Sequence, residues 1–401
     1  MSLILIIKNA GFQALAKVIT SLSTLAISLF IAFSFGENGY GEFTKVVTFI
    51  GILAIFLDFG LNPIFLKENN SLYQLITLRI FMATVLVVAG SLLILSPISS
   101  FFLFSNDANI GVFVLLFSLF PLSIQLSVGV YFQKHLRYYL QAYHLAVGGV
   151  TTVILIGLVT IFEYPFLYIF ISMVIGGIVA SLMSYLLIVK KESKSYPIDL
   201  IWAKKLLKSS TPLALMMLFN LIYFRADIFI LSYFKSSSDV GIYGFAYRFF
   251  DFLVAVPLFF SNALYPSLLL RKQSGEALFV KKHLLLFLMT SIGIVLVGWI
   301  FAPLIGIVRP GFILSILPFR LLLLSLPIFF LSSYYQWILI VDGDQKALVF
   351  IYLFCGVLNI ILNIIFIPYF SYIGASLITG VSEFIVFALL IGRLAILRKN
   401  L

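Results

Sequence analysis

Long apolar runs recur along this whole chain, and they constrain its fold more than any other feature. Most run for about 20 residues or more, the length that an α-helix needs to cross a hydrocarbon core about 30 Å thick. Only 10% of the residues are charged, whereas a typical soluble domain has about 25%. Continuous apolar runs also exclude a transmembrane barrel, because each barrel strand alternates apolar and polar residues over about ten positions. The sequence therefore predicts an all-α polytopic membrane protein.

We predict twelve transmembrane helices, which we call spans 1 to 12. The turns after even-numbered spans, together with both termini, hold seventeen Lys and Arg residues, whereas the other turns hold only Lys235 and Arg309. Because Lys and Arg concentrate in cytoplasmic loops, both termini are predicted to be cytoplasmic. The spans lie at residues 10–35, 43–66, 75–103, 110–132, 140–162, 166–189, 211–234, 240–270, 283–307, 312–341, 346–367 and 371–396.

The one long connection, residues 190–210, carries six lysines and divides the chain near its middle. Its segment IDLIWAKKLLK is amphipathic, so we predict that it lies on the anionic inner leaflet. We therefore divide the chain into an N-terminal six-helix bundle at 1–189, a basic cytoplasmic linker at 190–210 and a C-terminal six-helix bundle at 211–401.

The two predicted halves echo each other weakly. Gly41 and Gly241 stand at the entries to spans 2 and 8 with an offset of 200, and Pro165 and Pro368 follow spans 5 and 11 with an offset of 203. Internal repeats of this kind are typical of transporters whose halves surround a central cavity. We expect a duplicated six-helix unit around such a cavity.

Several function classes are excluded by what the sequence lacks. The single cysteine, Cys355, allows no disulfide within the chain, and the three histidines show no metal-ligand spacing. The outer turns reach only about seven residues, too short for a catalytic loop. We therefore predict no catalytic residue, no metal and no enzyme activity. The net charge of +11 is explained by topology, so no nucleic-acid partner is expected.

The hairpin Thr211–Leu270 places four charges inside apolar helices. Counted from Ser237 in its turn, Arg225 lies 12 residues before and Arg248 lies 11 residues after. Both arginines are thus predicted roughly 17–18 Å below the turn, near the middle of the bilayer core. Charges at that depth face a protein interior or a water-filled cavity. The four charges are Arg225, Asp227, Arg248 and Asp251.

Two interpretations of these charges stay open. Arg225 could pair with Asp251 and Asp227 with Arg248 as neutral struts, or Arg248 could neutralise Asp251 three residues away. Alternatively the arginines bind an anionic substrate, because guanidinium groups match phosphate oxygens bidentately. A mixed use of the four charges combines both interpretations.

Other cations fall into two groups. Lys17 and Arg320 have no acidic neighbour within one helical turn in the sequence, so we count them as candidate cavity-lining cations. Arg79, Arg393 and Lys45 lie near predicted helix ends, where long side chains reach the headgroups, and we expect them to do so.

Polar and acidic side chains within spans complete the candidates. We predict that aromatic and amide groups in and near the hairpin contact sugars; the candidates are Asn220, Tyr223, Tyr243, Tyr247, Asn262, Asn359 and Asn363. Asn359 and Asn363 could equally serve as hydrogen-bond links between helices. The candidates for H⁺ or Na⁺ coupling are Asp58, Asp227, Asp251 and Glu383. Asp58 has the alternative of a cap or turn role, because it begins DFGLNP near a helix break.

Six motifs in order resemble the polysaccharide biosynthesis proteins, which are lipid-linked oligosaccharide flippases of the multidrug/oligosaccharidyl-lipid/polysaccharide exporter superfamily. The resemblance runs from span 1 to span 12. The motifs are GENGYGEF (36–43), DFGLN (58–62), RADIFIL (225–231), VGIYGFAYRFFD (240–251), YPSL (265–268) and NIILNIIFIPYFSYIGASL (359–377).

The resemblance implies twelve helices in two six-helix bundles, alternating access, and outward movement of undecaprenyl-pyrophosphate-linked oligosaccharide repeat units. It further implies a multi-pass protein of the cytoplasmic (inner) membrane that serves lipopolysaccharide or capsule export. Its partners would be the lipid-linked substrate, membrane lipids and a polysaccharide polymerase. The competing interpretation is a multidrug or cation antiporter of the same superfamily.

Overall fold

The computed structural model describes residues 3–67, 71–96, 105–188 and 199–399, and the residues that it describes form helices and turns without strands. Ten of the described helices, taken as continuous segments, are long and apolar enough to cross a membrane. The α-helices are α1 (Leu3–Asp58), α2 (Leu61–Phe65), α3 (Leu72–Leu95), α4 (Asn106–Leu116), α5 (Leu119–Lys134), α6 (Tyr138–Ile161), α7 (Leu167–Ile188), α8 (Leu200–Phe234), α9 (Ser237–Gln273), α10 (Lys281–Phe301), α11 (Ile305–Val308), α12 (Ile316–Asp342) and α13 (Gln345–Lys399).

The two longest helices each contain one residue outside the helical region of φ and ψ. In α1 this residue is Gly36, with φ 65° and ψ −169°, and in α13 it is Ser371, with φ 48° and ψ −136°. Each of these helices therefore supplies two spans, while α4 and α5 together form one apolar segment. The described segments thus correspond to twelve spans, and the predicted all-α transmembrane fold is confirmed.

The chain divides into two compact units that are each described separately below. Unit 1 comprises Met1–Phe35 with Glu42–Leu218, and unit 2 comprises Gly36–Gly41 with Phe219–Leu401. Residues 189–198 of the predicted linker lie outside the described residues, while residues 200–210 form the start of α8, which continues without a break to Phe234. The predicted division at 189 and 211 stays a prediction.

In unit 1 the start of α8 packs against the bend between α1 and α3. Asp199 caps the helix, since its Oδ1 accepts the N–H groups of Ile201 (2.9 Å) and Trp202 (3.2 Å). Trp202 and Leu206 are buried beside Leu61 and Phe65. The segment therefore buries part of its apolar surface against protein, while Leu200 and Ile201 stay exposed together with the lysines at 204, 205 and 208.

Unit 2 contains a larger apolar core built from α8, α9, α10, α12 and α13. At its edge, Gly41 and Gly241 pack backbone against backbone. A Cβ on Gly41 would overlap the carbonyl oxygen of Ser237, and a Cβ on Gly241 would overlap that of Glu37. The two glycines that echo each other in sequence thus form a reciprocal close contact, which we call the glycine crossing.

Candidate transport site

Helix α8 carries the charged and aromatic residues of the site in unit 2. Tyr223 and Asp227 lie one helical turn apart and share a face, whereas Arg225 projects from a different side of the helix. Tyr223 is 6% and Asp227 4% exposed, while the Arg225 side chain is 27% exposed. One face of α8 is therefore closed within the bundle, and Arg225 is partly open.

Arg225 forms an ion pair with Asp251 of α9. Its Nη2 lies 2.6 Å from Oδ2 of Asp251, and both side chains are about 30% exposed, at 27% and 31%. The guanidinium also lies over the Tyr247 ring, 4.9 Å from the ring centroid. A cation–π contact orients the guanidinium without consuming its hydrogen bonds, so further N–H groups of Arg225 stay available.

Arg248 is arranged differently from Arg225. Its side chain is partly buried, and its Nε is buried without a hydrogen-bond partner among the described residues. The considered pair between Asp227 and Arg248 is not formed. Asp227 instead accepts a hydrogen bond from the Tyr243 hydroxyl and one of 2.8 Å from the N–H of Ile228. Tyr243 satisfies Asp227 because both lie on the buried side of the α8–α9 pair.

Glu383, in the second half of α13, is also buried in unit 2, with 3% exposure. Its Oε2 accepts a hydrogen bond of 2.9 Å from the Tyr223 hydroxyl, and Ser332 of α12 lies near its carboxyl. Asp227 and Glu383 are thus both held by tyrosine hydroxyls rather than by a salt bridge.

Asn359 and Asn363 connect the two halves of α13. The Nδ2 of Asn359 donates to Oγ of Ser382 over 3.0 Å, and the Nδ2 of Asn363 donates to both O and Oδ1 of Asn359 over 2.9 Å. Both amides are at most 4% exposed. The bond from Asn359 to Ser382 matches the interpretation as a link between helices, whereas the bonds of Asn363 stay within its own helix. A role in sugar binding stays a prediction for both.

The remaining candidates do not gather around Arg225. Lys17 is exposed on α1 in unit 1, and Asn220 is exposed on α8 in unit 2. Arg320 lies in the second turn of α12 with its guanidinium 4.9 Å from the centroid of the Trp299 ring. Its Nε is buried without a hydrogen-bond partner in the described part of the chain.

The expectation that Arg79 extends to the headgroups is wrong. Its side chain is 0% exposed and belongs to a network in unit 1. Its Nη2 lies 3.2 Å from Oδ1 of Asp58 and 2.5 Å from Oδ1 of Asn62, and its Nη1 lies 3.3 Å from Oγ of Ser127. We call these four residues the Arg79 network.

The Arg79 network exists because α1 ends at Asp58. The next two residues, Phe59 and Gly60, have φ of 50° and 61°, and this bend brings Asn62 to the same guanidinium. DFGLN is thus a helix break, as the sequence indicated, and Asp58 is the ion-pair partner of Arg79.

The other two cations expected at the headgroups also bind acidic residues. Lys45 is 3% exposed, and its Nζ lies 2.9 Å from Oε1 of Glu42. The Nε of Arg393 lies 2.5 Å from Oδ2 of Asp344, in the turn between α12 and α13. The expectation is wrong for Lys45, whose buried charge is compensated by Glu42. For Arg393, whose side chain is 38% exposed, it stays a prediction.

Sequence reasoning missed the hydroxyl groups that hold the two buried carboxyls. Thr379 lies one turn before Glu383, and its Oγ1 is 3.4 Å from the Tyr243 hydroxyl. Tyr243, a candidate for sugar contact, donates its hydroxyl hydrogen to Asp227, and its role in sugar binding stays a prediction. The four-residue spacing of Thr379 and Glu383 could have indicated that they share a helix face. No spacing in the sequence connects Ser332 with Glu383. Among the described residues no group of three or more His, Cys, Asp or Glu side chains could hold a metal ion.

Comparison with known families identifies the chain. The sequence profile of the family described as polysaccharide biosynthesis protein matches residues 6–269, more than half of the 401 residues. The chain belongs to the polysaccharide biosynthesis protein family. No curated protein sequence matches it significantly.

Solved structures show the fold to which this family member is similar. The lipid II flippase MurJ, in an inward closed conformation, has a TM-score of 0.76 at 16% identity over 95% of this chain and 87% of that one. An inward-facing multidrug resistance MATE transporter of the MOP superfamily has 0.76 at 15% identity, over 95% and 96%. A MOP superfamily transporter from Pyrococcus furiosus, described by a binding pocket of reverse polarity, has 0.65 at 13% identity, over 98% and 96%. The chain therefore has the MOP-superfamily transporter fold.

Proposed function

We propose that this protein is a flippase that moves undecaprenyl-pyrophosphate-linked oligosaccharide repeat units from the cytoplasmic to the outer leaflet by alternating access. It would serve the biosynthesis of a surface polysaccharide such as lipopolysaccharide or capsule. Membership of the polysaccharide biosynthesis protein family supports the class of substrate. The flippase MurJ, whose fold is similar, handles lipid II, which supports a lipid-linked substrate.

One observation carries the proposal at the level of chemistry: Arg225 is partly exposed and stacks on an aromatic ring, and Arg248 of the next helix has an unsatisfied donor. Arg225 lies on Tyr247 and keeps further N–H groups beyond its bond to Asp251. Arg248 has a buried Nε without a partner among the described residues. A pyrophosphate offers many acceptor oxygens, and arginine binds such oxygens in planar, bidentate geometry.

Coupling to H⁺ or Na⁺ belongs to the same proposal. Asp58 and Asp251 are held by arginines, so they are less suited to exchange a cation. Asp227 and Glu383 bond only to hydroxyl and amide groups among the contacts of the described chain. A buried carboxylate without a bonded cation is costly and is neutralised by binding one. We therefore assign coupling to Asp227 and Glu383.

The setting of the proposal is the cytoplasmic (inner) membrane, with both termini in the cytoplasm. The distribution of Lys and Arg supports that orientation. A polysaccharide polymerase that uses the flipped repeat units would be the functional partner in the outer leaflet.

A multidrug or cation antiporter is the second candidate, and one observation favours it. The MATE transporter reaches the same TM-score of 0.76 as the flippase, and Asp227 and Glu383 are buried carboxyls that could receive a cationic drug. Efflux of a fluorescent cationic dye from proteoliposomes, combined with unaltered surface polysaccharide in a deletion strain, would favour this candidate.

The deciding experiment reconstitutes the protein with labelled undecaprenyl-pyrophosphate oligosaccharide in liposomes. A membrane-impermeant glycosidase measures how much labelled glycan reaches the outer leaflet. We expect protein-dependent translocation that Arg225→Ala and Arg248→Ala each abolish, whereas Arg271→Ala, at an exposed pair with Glu276, retains it. Absence of protein-dependent translocation would refute the proposal.

A further inference from the structure

Arg320 lies among exposed apolar side chains of unit 2. It shares a face of α12 with two exposed leucines, one three residues before it and one four residues after it. The neighbouring span, formed by α10 and α11, has 11% of its apolar window buried, the lowest share among the ten described spans. A long helix that is apolar all round and is not covered by protein is suited to hydrocarbon. The composition of this surface therefore favours contact with lipid over contact with a water-filled cavity. Its exposed apolar residues include Leu296 and Ile300 of α10 and Leu317 and Leu324 of α12.

Helices α10 and α12 come close together beside Arg320. A Cβ on Gly298 of α10 would lie only 2.9 Å from Cδ1 of Leu323 of α12. Trp299 follows Gly298, and the Arg320 guanidinium lies 4.9 Å from the centroid of its ring. Trp299 is itself exposed. The arginine and the tryptophan thus form one contact between two helices, at a surface that the described protein leaves open.

The charge of Arg320 has no counterion among the described residues. Its Nε is buried without a hydrogen-bond partner, and none of the described ion pairs includes it. The ring of Trp299 stabilises a cation but accepts none of the five N–H donors of a guanidinium. A charge beside hydrocarbon is costly unless a partner compensates it. The guanidinium therefore needs an anionic acceptor from outside the protein.

The level of this contact in the membrane follows from counting along both helices. Trp299 lies 18 residues after the exposed Lys281 at the start of α10, about 27 Å along a helix. Arg320 lies 22 residues before the exposed Asp342 at the end of α12, about 33 Å. Since a hydrocarbon core is about 30 Å thick, both residues fall near the boundary opposite to those charged ends. Tryptophan is enriched at this level, and the phosphates of lipid headgroups lie there.

We infer that Arg320 and Trp299 form a binding site for the phosphodiester headgroup of an anionic phospholipid. A phosphodiester carries one negative charge, which one guanidinium balances, and its two free oxygens match the planar N–H donors of arginine. The amphipathic Trp299 ring holds the guanidinium on one side and contacts the lipid on the other. A pyrophosphate carries more negative charge than a single arginine compensates, so the transport substrate fits this site less well.

This inference gives Arg320 a role outside the transport cavity, for which it was a candidate. It does not depend on which substrate the protein moves. Only the choice of leaflet rests on the proposed function, because the predicted orientation places the turn between α10 and α12 on the outer side. The lipid is therefore one of the outer leaflet.

Tryptophan fluorescence of the full-length protein in liposomes tests the inference without any transport substrate. The chain has three tryptophans, so Trp202→Phe with Trp337→Phe leaves Trp299 as the reporter. The liposomes contain equal parts of phosphatidylglycerol and phosphatidylcholine, and only one of the two carries brominated acyl chains, which quench a neighbouring indole. Both lipids have a phosphodiester, but choline balances the charge of the second. We expect phosphatidylglycerol to be enriched about fivefold beside Trp299, the ratio for about 1 kcal/mol per basic residue at an anionic lipid surface.

Arg320→Leu in the same background should remove this enrichment, so that both brominated lipids quench equally. Arg271→Leu is the matched control, because it removes an arginine of unit 2 at the opposite helix ends, and the enrichment should persist. Equal quenching before any change at Arg320, or an enrichment that survives Arg320→Leu, overturns the inference. Quenching by aqueous iodide that exceeds quenching by brominated lipid places the surface in water and overturns it as well.

A second variant covers the case in which Arg320→Leu fails to fold. Arg320→Lys keeps the charge but loses the planar donors, so the enrichment should fall below the value with arginine. An unchanged enrichment would overturn the phosphodiester geometry.

Competition separates the possible sources of the phosphate. Inorganic phosphate, or polyprenyl pyrophosphate in an amount small against phosphatidylglycerol, should leave the quenching by brominated phosphatidylglycerol unchanged. Relief of quenching by either compound would assign the site to that compound and overturn the phospholipid.

Discussion

The buried ionisable side chains of the two units have different kinds of partner. In unit 1, Arg79 is fully buried and bonds to Asp58, Asn62 and Ser127. In unit 2, Asp227 and Glu383 are equally buried, but hydroxyl groups hold them and no salt bridge does so among the described residues. A buried ion pair fixes a structure, because neither charge can leave without the other becoming unpaired. A buried carboxyl held by hydroxyls can change its charge without leaving an unpaired partner, so the two units differ in whether their buried charge is fixed.

Arg79→Leu gives the largest expected effect on stability. Removal of one partner of a buried pair costs about 3–5 kcal/mol, and we expect about 3 kcal/mol because Asp58 is 24% exposed. Arg225→Leu in unit 2 should cost less than about 1 kcal/mol, since its pair is partly solvated. Thermal unfolding in detergent measures both variants. Equal losses of stability in the two variants would contradict the contrast between the units. Adding Asp58→Asn to Arg79→Leu should recover part of the lost stability, because it removes the unpaired carboxylate.

Gly41→Ala should have the next largest effect, at about 2 kcal/mol of destabilisation. A methyl group at the glycine crossing overlaps the Ser237 carbonyl, and the backbones must separate. Gly51→Ala, in unit 1 on the same helix, is the matched control, because its Cβ would meet nothing within 4 Å. It should stabilise by about 0.5–1 kcal/mol, the usual helical advantage of alanine. The same thermal assay compares them, and a tolerated Gly41→Ala would refute the tight packing.

Arg248→Ala should abolish glycan translocation, a loss of well over about tenfold and so of more than about 1.4 kcal/mol, while the unfolding temperature stays nearly unchanged. The reason is that Arg248 shows no ion pair among the described contacts, so its removal leaves no charge unpaired. Arg225→Ala should lower translocation similarly, and Lys at either position should retain part of it. Translocation and expression preserved with alanine at both positions would show that unit 2 offers no cationic binding site.

The smallest expected effect compares one strained turn in each unit. Glu163 and Ser371 both have positive φ, at 53° and 48°, a conformation that costs about 1–2 kcal/mol for residues other than glycine. Glu163→Gly should stabilise by up to about 1 kcal/mol. Ser371→Gly should give almost no gain, because it also removes the 2.7 Å hydrogen bond from Oγ of Ser371 to Asp239. Equal gains in unfolding temperature would mean that this bond contributes nothing.

The number of spans could be predicted from the sequence because it depends on local composition. The length of an apolar run and the charges of a turn can be read without knowing how the helices pack. The breaks at Gly36 and Ser371 fall where turns were expected. Span 2 was predicted to end at residue 66, but its helix ends at Asp58 because the chain bends at Phe59 and Gly60. The motif DFGLN had indicated a break there.

The partners of individual charges were predictable only where a simple geometric rule applied. Counting residues on both sides of the hairpin turn suggested that Arg225 pairs with Asp251, which is 26 residues away. The Lys45–Glu42 pair follows ordinary helical spacing and could have been recognised. The partners of Arg79 lie 17, 21 and 48 residues away and meet only through a bend and helix packing. Serine and threonine residues recur throughout the apolar helices, so the sequence does not show which of them lies near a given carboxyl.

The glycine crossing has a consequence for the origin of the chain. Gly41 lies against Ser237 and Gly241 against Glu37. The two glycines are 200 positions apart in the sequence, and so are Glu37 and Ser237. This reciprocity, in which residue i meets j and the equivalent of j meets the equivalent of i, is the signature of an isologous interface between identical subunits. The predicted duplication would explain why glycine stands at both positions, because each contact requires a backbone without a side chain.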